Sequence, residues 1–273
     1  MYKVLTLVGT RPEIIKLSLT IKKLDKFFNH YLVHTGQNYD YELNEIFFKD
    51  LEIRKPDFFL NSKSKNSITT ISKIFVKFND ICEKIKPDAV LILGDTNSAL
   101  AAIVANKKKI PIFHIEAGNR SFNRDTPEEL NRKLIDHSSD INLTYTEIAK
   151  DYLMNEGIPG DKIIKVGSPM LEILKYFESK INKTLPRKID DITELIQLSV
   201  NCETTIMKYS KAILVDESLF AEGWKSRKQR QHTQLHCNAA GLTSKEGWTA
   251  VDVWFDRDFG YLTTLTTSPT DCN

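Results

Sequence analysis

Three carboxylate residues stand at positions where an α/β protein is expected to do chemistry. Glu116 comes directly after a predicted strand at residues 110–115, Asp95 follows one at residues 89–93, and Glu128 opens a predicted helix. The carboxyl ends of parallel strands meet at one edge of a sheet, where such folds bind their ligands. Carboxylates gathered at that edge are suited to general acid–base catalysis. We therefore expect a proton-transfer site there.

Each carboxylate also has a purely structural interpretation. Asp95 is a residue type that caps the N-terminus of a following helix. Glu116 needs a partner if it enters the sheet interior, and Arg120 and Arg132 are candidates for that partner. Arg132 lies four residues after Glu128, so these two side chains can form an ordinary ion pair on one helix face. The carboxylates alone leave these alternatives open.

Polar and cationic residues follow the first two predicted strands. Gly9 ends the first strand, and Arg11 and Lys16 lie in the turn and helix that come next. A helix N-terminus offers N–H groups to an anion, and the two cations would strengthen such a site. Gln37 follows the second strand and supplies neutral hydrogen-bonding groups for a polar ligand. The GxGxxG pattern of dinucleotide-binding proteins is absent from this turn.

Apolar runs alternate with amphipathic stretches up to about residue 183. Several runs are apolar throughout, as expected when helices cover both faces of a parallel sheet. The alternation predicts an α/β domain with a Rossmann-like parallel sheet and right-handed crossovers over residues 1–183. Predicted strands cover residues 4–8, 31–34, 89–93, 110–115, 141–144 and 163–166. Predicted helices cover residues 12–28, 41–51, 68–85, 97–106, 128–137 and 147–155.

Composition restricts the classes of function. The 273 residues are 41% hydrophobic and 27% charged, which is typical of a globular protein. A net charge of +2 gives no preference for nucleic acid. No apolar run has the length of a membrane span and the N-terminus does not resemble a signal peptide, so the cytoplasm is the default location. None of the four cysteines forms a CxxC pair, and a zinc site is not predicted.

Residues 184–273 have a different character from the rest of the chain. All three tryptophans and three of the four cysteines fall there, and periodicity is weak. Partial disorder or a poorly folded appendage is at least as well supported as a second domain. The patterns predict a helix at residues 189–209, strands at 211–215 and 249–255, and an aperiodic basic segment at 225–234.

One short motif in this second segment has the spacing of a metal site. His232 and His236 are four residues apart, so they would share a helix face, and Cys237 is adjacent. Arginine, glutamine and threonine neighbours favour a solvated segment instead. No metal site is therefore predicted here.

Together, the motifs of the first segment are specific. They resemble the non-hydrolysing UDP-N-acetylglucosamine 2-epimerase family in residue type, order and spacing, from residue 1 to about residue 180. The motifs are Gly9-Thr10-Arg11-Pro12-Glu13 with Lys16, His34-Thr35-Gly36-Gln37, Gly94-Asp95-Thr96, His114-Ile115-Glu116-Ala117-Gly118, Pro127-Glu128-Glu129-Leu130-Asn131-Arg132, Asp136-His137 and Gly167-Ser168-Pro169.

The resemblance implies a GT-B-type architecture of two Rossmann-like domains, of which residues 1–183 would be the first. It implies inversion at C2 of a UDP-N-acetylhexosamine through elimination and re-addition of UDP, without a metal or nicotinamide cofactor. It also implies catalytic roles for Asp95, Glu116 and Glu128. The residues that would bind substrate or stabilise developing charge are Arg11, Lys16, Gln37 and Arg132.

The resemblance leaves the substrate open between two classes of UDP-sugar. Interconversion of UDP-GlcNAc and UDP-ManNAc is the main expectation. Residues 37–44, 54–57 and 118–122 are also similar to the branch that converts UDP-2-acetamido-2,6-dideoxy-L-talose to the L-fuco form. Neither nucleic acid nor membrane is an expected partner, and a homodimer is the expected assembly.

The resemblance ends before the motifs of the family's second domain. Residues 184–273 lack the His-Arg-Glu-type motif and the Ser-Gly-Gly-x-x-Glu-Glu-type turn, so the chain reads as truncated and extended with foreign sequence. Half a cleft loses much of the binding energy that orients a substrate, so slow or absent turnover is expected. Two alternative functions remain. One is a non-catalytic module that binds nucleotide sugars. The other is a GT-B glycosyltransferase, which is disfavoured by the set of Arg11, Asp95, Glu116 and Glu128.

Overall fold

The computed structural model describes residues 1–37, 48–215, 220–238, 244 and 247–272. The chain divides into two compact units, Met1–Pro169 and Met170–Asn273. The first unit is the α/β domain, and the second contains a separate sheet. None of the helices in the described ranges combines the length and the apolarity needed to cross a lipid bilayer.

The first unit is built on a parallel sheet of seven strands in its described residues. The strand order is β3-β2-β1-β4-β5-β6-β7, and every neighbouring pair is parallel. The order reverses between β1 and β4, which creates the switch point where such sheets bind ligands. The strands are β1 (Lys3–Val8), β2 (Asn29–His34), β3 (Phe58–Phe59), β4 (Ala89–Leu93), β5 (Ile112–Ala117), β6 (Ile141–Thr144) and β7 (Ile163–Lys165).

Helices connect these strands. The described helices of this part are α1 (Arg11–Phe27), α2 (Ser67–Ile85), α3 (Ala102–Lys107), α4 (Pro127–Ser138) and α5 (Glu147–Asn155), and α6 (Pro169–Asn182) begins at the boundary between the units. Proline stands in the first turn of α1 and α4, where its missing N–H has no helical acceptor to lose. Short 3₁₀ helices at Ala99–Ala101 and Gly160–Lys162 complete the connections.

Side chains that alternate along β1 pack on both faces of the sheet. Leu5 points into a cluster with Phe78 of α2, and both side chains are fully buried. Thr6 points the other way, where its hydroxyl lies 2.8 Å from Nε2 of His30. The other ring nitrogen of His30 contacts Asp25 of α1. Both faces are therefore covered by helices, which explains why a strand such as β4 is apolar throughout.

Most predicted elements of the first unit are present with small shifts. The strands at residues 89–93 and 141–144 and the helix at residues 147–155 have their predicted bounds. The strand predicted at residues 110–115 lies at Ile112–Ala117 instead, so Glu116 is inside β5 rather than beyond it. The helix predicted at residues 97–106 is split into a 3₁₀ turn and α3. The helix predicted at residues 41–51 falls largely outside the described residues.

The second unit contains a mixed sheet of five described strands, in the order β12-β11-β10-β9-β8. β10 and β11 are parallel and the other pairs are antiparallel. Helix α7 (Trp224–Asn238) lies along β12, and a disulfide joins Cys237 to Cys272. The strands are β8 (Arg187–Asp190), β9 (Thr193–Asn201), β10 (Ile206–Ile213), β11 (Thr249–Phe255) and β12 (Tyr261–Thr267).

These elements correct the expectations for residues 184–273. The helix predicted at residues 189–209 is wrong, because that stretch forms β8, β9 and the start of β10. The aperiodic segment at residues 225–234 is helical, within α7. The strand predicted at residues 249–255 is confirmed as β11. The segment thus has regular structure in its described residues.

Candidate functional site

The turn after β1 is fixed by a buried carboxylate. Oε2 of Glu13 accepts hydrogen bonds from the backbone N–H groups of Gly9 at 2.5 Å and Thr10 at 2.7 Å. Its Oε1 accepts a bond from the hydroxyl of Thr96, in the turn after β4, at 2.7 Å. Burial raises the pKa of Glu13, and these hydrogen bonds oppose the rise only in part. The N–H groups of Gly9 and Thr10, which precede α1, are therefore engaged by the protein itself.

A close approach of two further turns explains the glycine at position 9. A Cβ atom on Gly9 would overlap the hydroxyl of Ser98 and crowd that of Thr35. These two hydroxyls are hydrogen-bonded to each other at 2.6 Å. The ends of β1, β2 and β4 are thereby held together at the switch point.

Asp95 is held in the turn after β4 by two residues of α4. Nε of Arg132 donates to Oδ2 of Asp95 at 2.7 Å, and the side chain of Asn131 donates to its backbone oxygen at 2.9 Å. Burial disfavours the charged guanidinium, but the hydrogen bonds and negative charges of Asp95 and Glu129 together outweigh this effect and raise the pKa of Arg132. Arg132 also contacts Glu129 at 3.2 Å rather than pairing with Glu128. Asp95 is therefore the partner of an arginine and not a helix cap.

Glu116 occupies a strained position at the end of β5. Its φ is +70°, in the left-handed region, and the pairing of β5 with β6 shifts register there. A non-glycine residue in this region costs of order 1–3 kcal/mol and persists only where its surroundings hold it. Nζ of Lys16 donates to Oε2 of Glu116 at 2.6 Å, and both side chains retain partial exposure. Lys16, and neither Arg120 nor Arg132, is thus the partner of this carboxylate.

Tyr145 lies beside this ion pair. Burial, together with the negative charge of Glu116, raises the pKa of the Tyr145 phenol. The phenol is therefore neutral at physiological pH. Nζ of Lys16 lies 6.0 Å from the centre of the Tyr145 ring.

A buried network supports the turn between β4 and its helix. Nε2 of His114 donates to the backbone oxygen of Gly94 at 2.9 Å, and Nδ1 lies 2.8 Å from Asp136. Arg120 pairs with Asp136 at 2.8 Å and with Glu156 at 2.6 Å. Burial disfavours the Asp136 anion, but its bonds to His114 and Arg120 outweigh this effect and lower its pKa. Arg120 therefore has a structural partner away from Glu116.

The remaining predicted residues take different positions. Arg11 is exposed at the first residue of α1, and Glu128 is exposed in the first turn of α4. The neighbouring Glu129 is buried instead and accepts hydrogen bonds from the backbone and hydroxyl of Ser121. Gln37 is partly buried, and its Oε1 finds no hydrogen-bond donor in the described part of the chain.

His34 presents a second unsatisfied polar atom near the end of β2. Its Nδ1 accepts a hydrogen bond from the N–H of Gly36 at 3.0 Å, so Nε2 carries the proton and has no acceptor among the described residues. Burial lowers the pKa of His34 to about 4, and its ring stacks on Phe59 with centroids 4.7 Å apart. His34 and Gln37 thus give two polar atoms near the end of β2 that lack a partner within residues 1–37 and the other described ranges.

The sequence-predicted residues are thus brought together in part. Lys16 joins Glu116 and Arg132 joins Asp95, and an ideal Cβ on Gly94 would lie 3.9 Å from Oε2 of Glu116. The two ion pairs therefore lie at adjacent strand ends. Sequence reasoning missed Glu13 and Tyr145 as parts of this edge. A carboxylate in the first turn of a largely apolar helix was the available signal for Glu13.

Comparisons with known proteins show which family the chain is similar to. The family model described as UDP-N-acetylglucosamine 2-epimerase matches residues 22–199. A solved UDP-N-acetylglucosamine 2-epimerase from Rickettsia bellii is 56% identical, with a TM-score of 0.63 over 66% of this chain and 48% of that one. The Methanocaldococcus jannaschii enzyme in complex with UDP-GlcNAc and UDP is 30% identical, with a TM-score of 0.63 over 93% and 66%.

A curated relative from Pseudomonas aeruginosa carries a different substrate in its name. This UDP-2,3-diacetamido-2,3-dideoxy-D-glucuronate 2-epimerase is 42% identical over 65% of this chain and 52% of its own length. The chain spans about half the length of the curated relatives it matches. The likeness to the solved structures identifies the first unit as the first half of a GT-B-type fold.

Proposed function

Because the chain belongs to the UDP-N-acetylglucosamine 2-epimerase family, we propose that its carboxyl-edge site serves inversion at C2 of a UDP-N-acetylhexosamine. The reaction interconverts UDP-GlcNAc and UDP-ManNAc. One observation carries the proposal. Glu116 is placed at the sheet edge by a left-handed backbone and held by Lys16 at 2.6 Å. Backbone strain of this kind persists only where the surrounding structure maintains it, and strained residues cluster at functional sites.

The chemistry needs a base at C2 and stabilisation of the departing diphosphate. A carboxylate removes the C2 proton as the bond between C1 and the UDP oxygen breaks, which leaves a 2-acetamidoglycal and UDP. Re-addition of UDP to C1, with a proton delivered to C2 from the opposite face, completes the inversion. We assign the proton transfers to Asp95, Glu116 and Glu128.

Cations beside two of these carboxylates, Glu116 and Asp95, support the assignment. The ammonium of Lys16 stabilises the Glu116 anion, and the guanidinium of Arg132 does the same for Asp95. We assign Arg11, which is exposed in the first turn of α1, to the diphosphate. We assign Gln37, whose Oε1 has no donor in the described part of the chain, to a polar group of the ligand. In this scheme Lys16 and Arg132 also stabilise the negative charge that develops on the leaving group.

Deuterium exchange at C2 tests the proposal on the purified chain. UDP-GlcNAc is incubated with the protein in D₂O, and deuterium at C2 is followed by NMR over long incubations. We expect slow incorporation that falls about 10²–10⁴-fold in Glu116→Gln. Glu147→Gln is the matched control, because Glu147 also pairs with a lysine, Lys165 at 2.7 Å, but on α5. Loss of exchange in both variants, or in neither, would refute the role of Glu116.

The same assay separates the competing functions. Nucleotide-sugar binding without exchange under any condition supports the non-catalytic module instead. Exchange with UDP-2-acetamido-2,6-dideoxy-L-talose in preference to UDP-GlcNAc assigns the 6-deoxy sugar as substrate. The name of the Pseudomonas aeruginosa relative indicates that substituents on the sugar vary within the family.

A further inference from the structure

A cluster of two histidines and one aspartate lies in the second unit. His232 and His236 share one face of α7, and Asp252 lies on β11. Their potential ligand atoms all lie within 4.8 Å of one another. We propose that these three side chains form a binding site for a divalent transition-metal ion such as Zn²⁺. The proposal is independent of the proposed epimerase function.

Two buried polar atoms in the cluster are unsatisfied. Nε2 of His232 and Oδ1 of Asp252 belong to residues that are 4% and 3% exposed, and neither atom has a hydrogen-bond partner in the described chain. They lie 3.5 Å apart, which is too long for a hydrogen bond. In a tetrahedral zinc site with bonds of 2.0–2.1 Å, neighbouring ligand atoms are about 3.3–3.4 Å apart. Their separation therefore matches that of two ligands of one ion.

The protein also orients His232 as a metal ligand requires. Its Nδ1 lies 2.7 Å from the hydroxyl of Thr267 on β12, and donation of a proton to that oxygen leaves the Nε2 lone pair directed toward Asp252. In most metal sites, the ring nitrogen of a ligating histidine that does not bind the ion makes a hydrogen bond, which fixes the orientation of the ring. Thr267 is itself fully buried. This contact is thus compatible with the neutral tautomer that binds metal through Nε2.

His236 completes the set from the next turn of α7. Its ring centre lies 4.4 Å from that of His232. His236 is 9% exposed, more than the other two residues of the cluster. The open fourth position would be filled by water.

The positive charge of Lys211 disfavours binding of a cation at this position. Its ammonium pairs with Oδ2 of Asp252 and leaves Oδ1 directed toward the histidines. Cys237, the residue after His236, is joined to Cys272 and is not available as a thiolate ligand. The donor set is therefore two imidazoles and one carboxylate, which suits Zn²⁺ and its spectroscopic substitute Co²⁺.

Titration with Co²⁺ and Zn²⁺ tests the site in the full chain with its disulfide intact. We expect one equivalent of Co²⁺ to bind with the visible absorption of low coordination and without a thiolate-to-cobalt charge-transfer band. His236→Asn is expected to weaken Co²⁺ binding at least about 10-fold, because even the loss of a residue that only supports a metal ligand lowers affinity by that much. His137→Asn, a histidine of the first unit, is the matched control and is expected to bind like the parent.

Two further measurements guard against variants that merely unfold. Far-ultraviolet circular dichroism establishes that His236→Asn is folded, and Zn²⁺ should raise the melting temperature of the parent but not of this variant. A third variant tests the electrostatics of the site. Lys211→Met should bind Co²⁺ more tightly than the parent, because it removes a neighbouring positive charge. Equal Co²⁺ affinity in the parent and His236→Asn, or a thiolate charge-transfer band, would overturn the proposal.

Discussion

Glu116 shows how one residue at the candidate site is placed at a cost to the fold. Its left-handed backbone is maintained by the register shift between β5 and β6 and by the contact with Lys16. Because the ion pair is partly exposed, it contributes at most about 1 kcal/mol. The strained backbone therefore orients the carboxylate and does not stabilise the domain.

Replacing Glu116 by glycine and by alanine separates the backbone from the side chain. Both variants lose the carboxylate, but only glycine adopts a positive φ without strain. We expect Glu116→Gly to be more stable than Glu116→Ala by about 1 kcal/mol in urea denaturation. The same pair of substitutions at Asp151, inside α5, should give the opposite order because glycine destabilises helices. Equal stabilities at position 116 would show that the backbone there is unstrained.

Asp136 illustrates a different single-residue effect, the cost of breaking a buried ion pair. Its side chain and that of Arg120 are both inaccessible to solvent. Asp136→Asn leaves the guanidinium with Glu156 as its remaining carboxylate partner. Because Glu156 still balances the guanidinium charge, we expect a loss of about 1–3 kcal/mol in the free energy of unfolding at neutral pH.

The pH dependence of this loss follows from the lowered pKa of Asp136. The stabilisation is fully present above the ordinary aspartate value of 3.8 and disappears as the pH falls through the lower folded value. The difference between the parent and Asp136→Asn should therefore shrink as the pH falls below 3.8. Urea titrations over a pH series measure it. A difference that stays constant across the series would contradict the assignment.

At the scale of elements, the ends of β1, β2 and β4 form one tightly packed edge. Glu13 ties the first turn to Thr96, and the hydroxyls of Thr35 and Ser98 fill the space beside Gly9. The candidate site is thus built on turns that cannot move independently. Rigid support of this kind is what holds reacting groups in position.

Gly9→Ala measures how tightly these turns pack. The added methyl overlaps the hydroxyl of Ser98, so we expect a loss of about 1–3 kcal/mol in urea denaturation. Ser98→Ala in the same chain removes the overlapping oxygen and should recover part of the loss. A double-mutant cycle gives the coupling between the two positions. Additive effects would mean that the turns part to accommodate the methyl.

The sequence was informative where elements are long and regular, and less so where they depend on distant neighbours. The continuous apolar run of β4 and the alternating apolar and polar residues of β6 predicted both strands at their observed bounds. The hairpin of β9 and β10 escaped prediction because its turn has neither glycine nor proline. Instead, the side chain of Asn201 accepts hydrogen bonds from the N–H groups of Glu203 and Thr204.

The candidate site shows the same limit. Its edge was predictable, because Asp95 and Glu116 each follow a predicted apolar strand. The partners were not, since Arg120 and Arg132 are near Glu116 in sequence whereas Lys16 is one hundred residues away. Only the strand order, which places β1 and β5 on either side of β4, brings α1 to the end of β5.

At the scale of the whole molecule, the two units differ in how they are stabilised. The first relies on a parallel sheet covered by helices, whereas the second adds a disulfide between α7 and the residues after β12. Disulfides persist in oxidising compartments, and a cytoplasmic location, which the sequence predicts, would keep these thiols reduced. The redox state of Cys237 and Cys272 therefore bears on the stability of the second unit alone.

Reduction of this disulfide should weaken the second unit selectively. The linked cysteines are 35 residues apart, and a loop of that length contributes up to about 4 kcal/mol. Tryptophan fluorescence reports this unit alone, because Trp224, Trp248 and Trp254 all belong to it. We expect Cys237→Ser to lower the urea midpoint of the fluorescence change. Cys202→Ser is the control, and the same midpoint in both variants would disprove the effect.

Cysteine placement has a practical consequence for labelling. Cys82 is buried, and burial raises its thiol pKa to about 11, so it reacts poorly with alkylating reagents. With Cys237 and Cys272 joined, Cys202 is the partly exposed free thiol. A maleimide dye added to the native, oxidised chain would therefore attach at Cys202, in the turn that follows β9. One fluorophore at a known position could then report on the second unit without any engineered cysteine.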